Sequence, residues 1–166
     1  MYRRTYVSTP VLTHVRSYTY TCIRTPIIYS VKTKAKSSAT DVLFVTNPEC
    51  PKLNKTKQKL FHSCVMELHY LAKCIRGDIL TAVSYCSTRV LFPDEDDEKI
   101  LDRILSYLMT TRGNVLLLKI RGAIQINAYV DTAFGTYGYM KSVTGVVIQI
   151  GEVTVYVKSV KQNIVT

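Results

Sequence analysis

Two strand-like runs joined by a two-residue link constrain this chain more than any other feature. VVIQI (Val146 to Ile150) and VTVYVKS (Val153 to Ser159) are separated only by Gly151-Glu152. Strands joined by a Gly-containing link of that length form an antiparallel hairpin. Two further strand-like runs precede it, VLLLKI (Val115 to Ile120) and IQINAYV (Ile124 to Val130), the second ending on a single carboxylate, Asp131. The C-terminal third is therefore expected to be a small sheet of three or four strands, mixed or antiparallel.

Upstream the period changes from two to about 3.6. Leu60, Phe61, Cys64, Val65, Leu68, Leu71 and Ala72 recur at steps of three and four, one face of a helix. Gly77 interrupts this pattern, and Ile79, Leu80, Val83 and Cys86 restart it to about Val90. Pro93 closes the second helix. The acids Asp94 to Glu98 then open a third, where they complement the positive end of the helix dipole. Ile100, Leu101, Ile104, Leu105 and Leu108 form its apolar face, and Gly113 stops it. Before these helices, DVLFV (Asp41 to Val45) is a short strand or an anchoring stretch. KTKAKSS (Lys32 to Ser38) is a linker. The order is three helices and then strands, an α/β (α+β) class.

Charge divides the chain unevenly. The formal net charge is +10 over 166 residues. Residues 1–62 hold eleven Lys/Arg and two acids (Asp41, Glu49), a net of +9, whereas residues 63–166 hold eleven Lys/Arg and ten acids, a net of +1. A basic leading segment attracts nucleic acid through its phosphates, and equally suits a solvated lead-in. Five cysteines at positions 22, 50, 64, 74 and 86 include no C-x-x-C pair and form no Cys/His grid with His14, His62 and His69. That pattern argues against a zinc site. Cys64, Cys74 and Cys86 fall within apolar helical patterns and are expected to be buried, reduced thiols, which suits an intracellular compartment. No run of about 18 apolar residues is present, so no membrane partner is expected.

Several segments, in order from Ala39 to Thr166, resemble the pol polyprotein of copia-type retrotransposons, over the stretch joining reverse transcriptase to ribonuclease H. They are TDVLFV with Pro51-Lys52-Leu53, FHSCVMELHYLAKCIRGDILTAVSYCSTRV (Phe61 to Val90), FPDEDDEKILDRILSYLMTTRG (Phe92 to Gly113), AYVDTAFG, KSVTG (Lys141 to Gly145) and KSVKQ (Lys158 to Gln162). Residues 1–38 show no match and are expected, from their composition, to be a basic, disordered lead-in. The resemblance implies a helical connection region over 39–113 and the first strands of a ribonuclease H-like domain over 114–166. The last of these is a partial sheet. It further implies RNA–DNA hybrid as partner, with the remainder of the polyprotein, and Mg²⁺ as the parent family's cofactor. Lys158 and Lys161 match positions that contact the nucleic-acid backbone, or act as solubilising lysines.

Departures from the family are specific. Gly77 stands where the family carries the proline of Arg-Pro-Asp, and the polymerase Tyr-x-Asp-Asp is absent. The helix carrying the second catalytic acid is not found before Thr166, so a decayed or truncated copy, or a partial gene model, is expected. Two-metal phosphodiester hydrolysis needs several converging carboxylates. Asp131 matches the first of them and is expected to be a vestigial metal ligand, or simply an exposed strand-end aspartate. Enzymatic activity is therefore not expected, and the alternative is a non-catalytic nucleic-acid-binding or domesticated structural module. Of the remaining signals, Asp94 to Glu98 lack the ligand spacing of a calcium loop. Arg76-Gly77-Asp78 suits an inter-helix turn with Asp78 near an N-cap.

Overall fold

The computed structural model describes residues 34–114, 124–137 and 140–163. Three helices, α1 (Lys55–Cys74), α2 (Leu80–Arg89) and α3 (Glu95–Thr110), are followed by three strands, β1 (Ile126–Tyr137), β2 (Lys141–Ile150) and β3 (Val153–Lys161). The class is α+β, and the sheet is antiparallel throughout in the order β1-β2-β3. The expected run Val115 to Ile120 lies outside the described residues.

Local chemistry sets the helix ends. Asn54 caps α1, its side chain accepting the Lys57 N–H at 2.9 Å. At α3, Asp94 and Asp97 form a reciprocal capping box: each carboxylate accepts the other's backbone N–H at 3.0 Å. Arg89 donates to both carboxylates and Lys52 to Asp94, so this helix start is held from two directions. A short bridge of Lys52 with Asp94 adds the backbone bonds Leu53 N–H to Pro93 C=O and Glu95 N–H to Pro51 C=O. The two Pro-broken segments are thereby pinned to each other.

The predicted apolar faces make one core. Phe61, Val65, Leu68 and Leu71 from α1 meet Leu80, Val83 and Cys86 from α2, and Leu101, Ile104, Leu105 and Leu108 from α3. The sheet reaches the helices through β3, against α2 and α1, and its Val143 and Val157 pack on the same cluster. Asp41 to Val45 is not a strand. Its residues form a turn, and Leu43 and Phe44 anchor it to the core. Phe44, Tyr85 and Tyr137 form an aromatic trio with centroids 4.9–5.8 Å apart, the two tyrosines stacked and Phe44 edge-on to both. Offset and edge contacts of this kind add to the burial of the rings themselves. Cys50, Cys64 and Cys86 are buried, but Cys74, expected inside, is exposed near the end of α1. Cys74 is the last residue of α1, past the end of the buried face.

The hairpin is as expected, with Gly151 at φ 60° supplying the positive φ that a two-residue link requires. The expectation that the preceding strand ends on Asp131 is not met: β1 runs on through Tyr137. Asp131 sits mid-strand opposite Gly145, and the pairing continues through Thr132 with Thr144 and Ala133 with Val143. The physical reason is the far end of β1. Burial of Tyr137 in the aromatic trio holds the chain extended beyond the carboxylate.

One carboxylate opposes the fold. Asp102 Oδ1 on α3 is buried without a hydrogen-bond partner. Burial, with Glu98 one turn earlier, pushes its carboxyl up to about 6, and Lys57 offsets this only in part. Because the folded value lies above the ordinary 3.8, the stabilising contribution is full below the unfolded value and is lost as the pH rises through the folded one. Asp102→Asn should therefore raise stability at pH 7 by on the order of 1 kcal/mol after solvent screening, an advantage that fades by about pH 4. Urea melts of the two proteins at both pH values check it. An equal difference at both pH values would refute the titration and leave only packing.

Candidate nucleic-acid interface

The residues singled out for metal chemistry do not converge. Asp131 is exposed on β1, and one of its oxygens accepts the Thr132 N–H at 2.8 Å. Glu152 lies in the hairpin turn. Among the described residues, no group of three or more His, Cys, Asp or Glu side chains comes together in a way that could hold a metal ion. A lone carboxylate already engaged by a backbone donor does not fit a pair of divalent ions, and no catalytic step is derived through Mg²⁺ here.

The cations form a more definite arrangement. A cleft of about 430 Å³ runs between the helices and β3, lined by His69 and Lys73 of α1, Leu80, Ser84 and Ser87 of α2, and the continuous stretch Val155 to Lys161 of β3. The helical face is built by spacing: His69 and Lys73 are four apart, and Leu80, Ser84 and Ser87 recur at four and three, so each helix turns one stripe to the cleft. On β3 both strand faces contribute, which places the cleft along the strand's outer edge, opposite the edge paired with β2. Lys158 and Lys161, predicted from sequence, are both here.

The electrostatics of the cleft are one-sided. No Asp or Glu lines it. Burial, reinforced by the Lys73 ammonium, holds the His69 imidazole below its usual value, so it is neutral at pH 7. Burial and the neighbouring cations Lys141 and Arg89 likewise depress Lys161, whose Nζ lies 4.5 Å from the centre of the Tyr137 ring. Ser87 Oγ donates to the Val83 carbonyl at 2.9 Å, whereas Ser84 Oγ is buried and has no partner.

A second set of charges is structural. Arg76 is buried and donates twice to the Asp78 carboxylate, at 2.7 and 2.9 Å, and also to the Thr111 hydroxyl, while Tyr107 O–H donates to Asp78. Burial alone would raise Asp78, but these hydrogen bonds win and hold its carboxyl below the usual range. Asp78 lies, as its spacing suggests, in the inter-helix turn beside the N-cap residues Arg76 and Ile79. The turn Gly77–Ile79 lacks a side-chain cap bond, and the ion pair instead ties the end of α1 to the end of α3. His62 and His69, expected on one helix face as packing or surface residues, differ in setting: His62 is exposed and His69 lines the cleft.

Sequence reasoning missed His69, Lys73, Ser84 and Ser87 as a group. They come from two helices whose packing brings their stripes to one strand edge, and no local motif signals that. No family model, curated protein or solved structure matches this chain. Among the described residues, no helix is long and apolar enough to cross a membrane.

Proposed function

We propose that this chain is a non-cleaving, nucleic-acid-binding piece of a copia-type retrotransposon pol polyprotein, from the region joining reverse transcriptase to ribonuclease H. The observation that carries the reading is the acid-free cleft in which Lys73 of α1 meets Lys158 and Lys161 of the β3 edge. Phosphate-backbone recognition needs clustered cations and neutral donors, and the cleft supplies both. The ordered motifs from Ala39 to Gln162 and the succession of helices and hairpin strands support the family reading. The isolated Asp131 supports the absence of cleavage. The partners are RNA–DNA hybrid or another nucleic acid, and the rest of the polyprotein. The free cysteines at 50, 64, 74 and 86 suit an intracellular setting, cytoplasmic or nuclear.

Binding of a labelled RNA–DNA hybrid should weaken steeply and linearly in log–log form as salt rises. It should proceed without Mg²⁺-dependent cleavage. Deleting residues 1–38 removes seven cations, Arg3, Arg4, Arg16, Arg24, Lys32, Lys34 and Lys36, and should flatten that slope. Hybrid cleavage that disappears in Asp131→Asn would make the chain an enzyme and overturn the non-cleaving half. Absence of binding at low salt would overturn the nucleic-acid half.

A further inference from the structure

We infer that the cleft between α1, α2 and the outer edge of β3 is a defined phosphoryl-binding site, in which Lys73, Ser84 and Lys161 hold the anion and Lys158 guards the rim. The inference deepens the nucleic-acid reading and rests on it only for the carrier of the phosphate.

Three independent features point to an anionic occupant. First, the cations of the cleft have no counter-charge beside them, whereas several cations that pack at the helix ends do. Lys52 and Arg89 pair with Asp94, Arg89 with Asp97, Lys57 with Glu98, Arg76 with Asp78, and Lys99 with Asp96. Among the described residues, Lys73, Lys158 and Lys161 take part in no such pair, although they share one concave surface. Concentrating unpaired like charges in a cleft is unfavourable until a counter-charge enters it.

Second, Ser84 Oγ lines the cleft as a buried hydroxyl with no protein partner. A buried hydroxyl without a bond is costly, and an anion oxygen in the cleft would satisfy it. Third, β3 is the outer strand of the sheet among the described residues. Every second residue of an edge strand turns its N–H, together with its C=O, away from its partner, so the stretch Val155 to Lys161 offers the cleft backbone N–H donors alongside carbonyls. Ammonium groups, a hydroxyl and backbone N–H groups, with no carboxylate, form the donor set that phosphate oxygens select.

His69 makes the site readable. Lys73 faces it from its own helix, Ser84 and Ser87 from α2, and Tyr156, Lys158 and Lys161 from β3. A bound anion adds negative charge beside the imidazole and stabilises its protonated form. The histidine ring signals can be followed by NMR against pH with inorganic phosphate, with a short oligothymidylate, and with its uncharged methylphosphonate analogue. Phosphate and oligothymidylate should move the His69 midpoint upward by about half a pH unit or more, and leave exposed His62 in place. The methylphosphonate should do neither. Lys73→Gln and Ser84→Ala alter a solvent-facing and an unpartnered group, so the fold survives them. Each should weaken phosphate binding, Lys73→Gln by about tenfold.

Equal shifts at His62 and His69, or a phosphate affinity unchanged in both variants, would overturn the site and leave the lysines as a solubilising rim. If oligothymidylate still binds the wild type in that case, the nucleic-acid reading stands through other cations. If oligothymidylate also fails to bind, both fall. A response to inorganic phosphate but not to oligothymidylate keeps the phosphoryl site and assigns it to small phosphates instead of a polymer.

Discussion

Leu105→Ala should lower the unfolding free energy by about 2–5 kcal/mol. The side chain is 1% exposed and sits in the cluster where all three helices meet. Truncation loses its transfer free energy and leaves a cavity, and the size of the loss depends on how far the neighbours can collapse. Here they cannot collapse far. Leu68, Leu71, Val83, Ile104 and Leu108 are themselves nearly inaccessible and belong to elements fixed at their ends by the Asp94–Asp97 capping box and the Arg76–Asp78 ion pair. Urea denaturation gives the number. A loss below about 1 kcal/mol would mean that the three-helix core is loosely packed and can close over the gap.

Gly77→Val costs about 1–3 kcal/mol and acts on the seam between helices and sheet, not on either part. A Cβ built at this position meets Val157 Cγ2 at 2.8 Å, closer than real contacts allow. The inter-helix turn therefore approaches β3 so closely that any side chain must push the strand away. Val157 packs against the helical core, so the strand moves only by giving up that burial. Restoring space with Val157→Ala should recover part of the loss, whereas the same Val157→Ala in the Gly77 background should only destabilise. Additive effects in that double-mutant cycle would show that the contact is not the cause. A proline ring also carries a Cβ, and here that Cβ would collide with the strand.

The helices and the hairpin were legible in the sequence because each is a local solution. Phe61, Cys64, Val65 and Leu68 share a face by their spacing alone, and Gly151-Glu152 leaves the flanking runs little choice but to pair. Asp94 and Asp97 were legible as helix-opening acids, though not as a reciprocal box held by Arg89. What escaped were features made by packing. Asp131 was taken as a strand end because polar and small residues follow it. The strand continues because Tyr137, several residues on, is buried between Phe44 and Tyr85. The spacing places Asp78 beside an N-cap but does not show its partners: Arg76 and Tyr107 meet it where α1 and α3 cross. The cleft escaped for the same reason: four of its polar residues are ordinary surface choices until β3 is laid across them.

The outer face of the sheet carries a similar consequence for the whole strand pattern. Val130, Val146 and Lys158 form one row across the three strands, and Ala128, Ile148 and Tyr156 the next. Ile126, Val130, Tyr156 and Val160 are exposed there. Apolar area of this kind binds hydrophobic dyes and favours association unless something covers it.

The Phe44–Tyr85–Tyr137 trio governs the order in which the molecule assembles. Its three rings come from the anchoring turn, from α2 and from the far end of β1, so it closes long loops. Helices α1 to α3 rely on near neighbours and can form while those loops are still open. The trio cannot, since it needs β1 complete to Tyr137. It is the latch that fastens the anchoring turn, α2 and the far end of the sheet to one another.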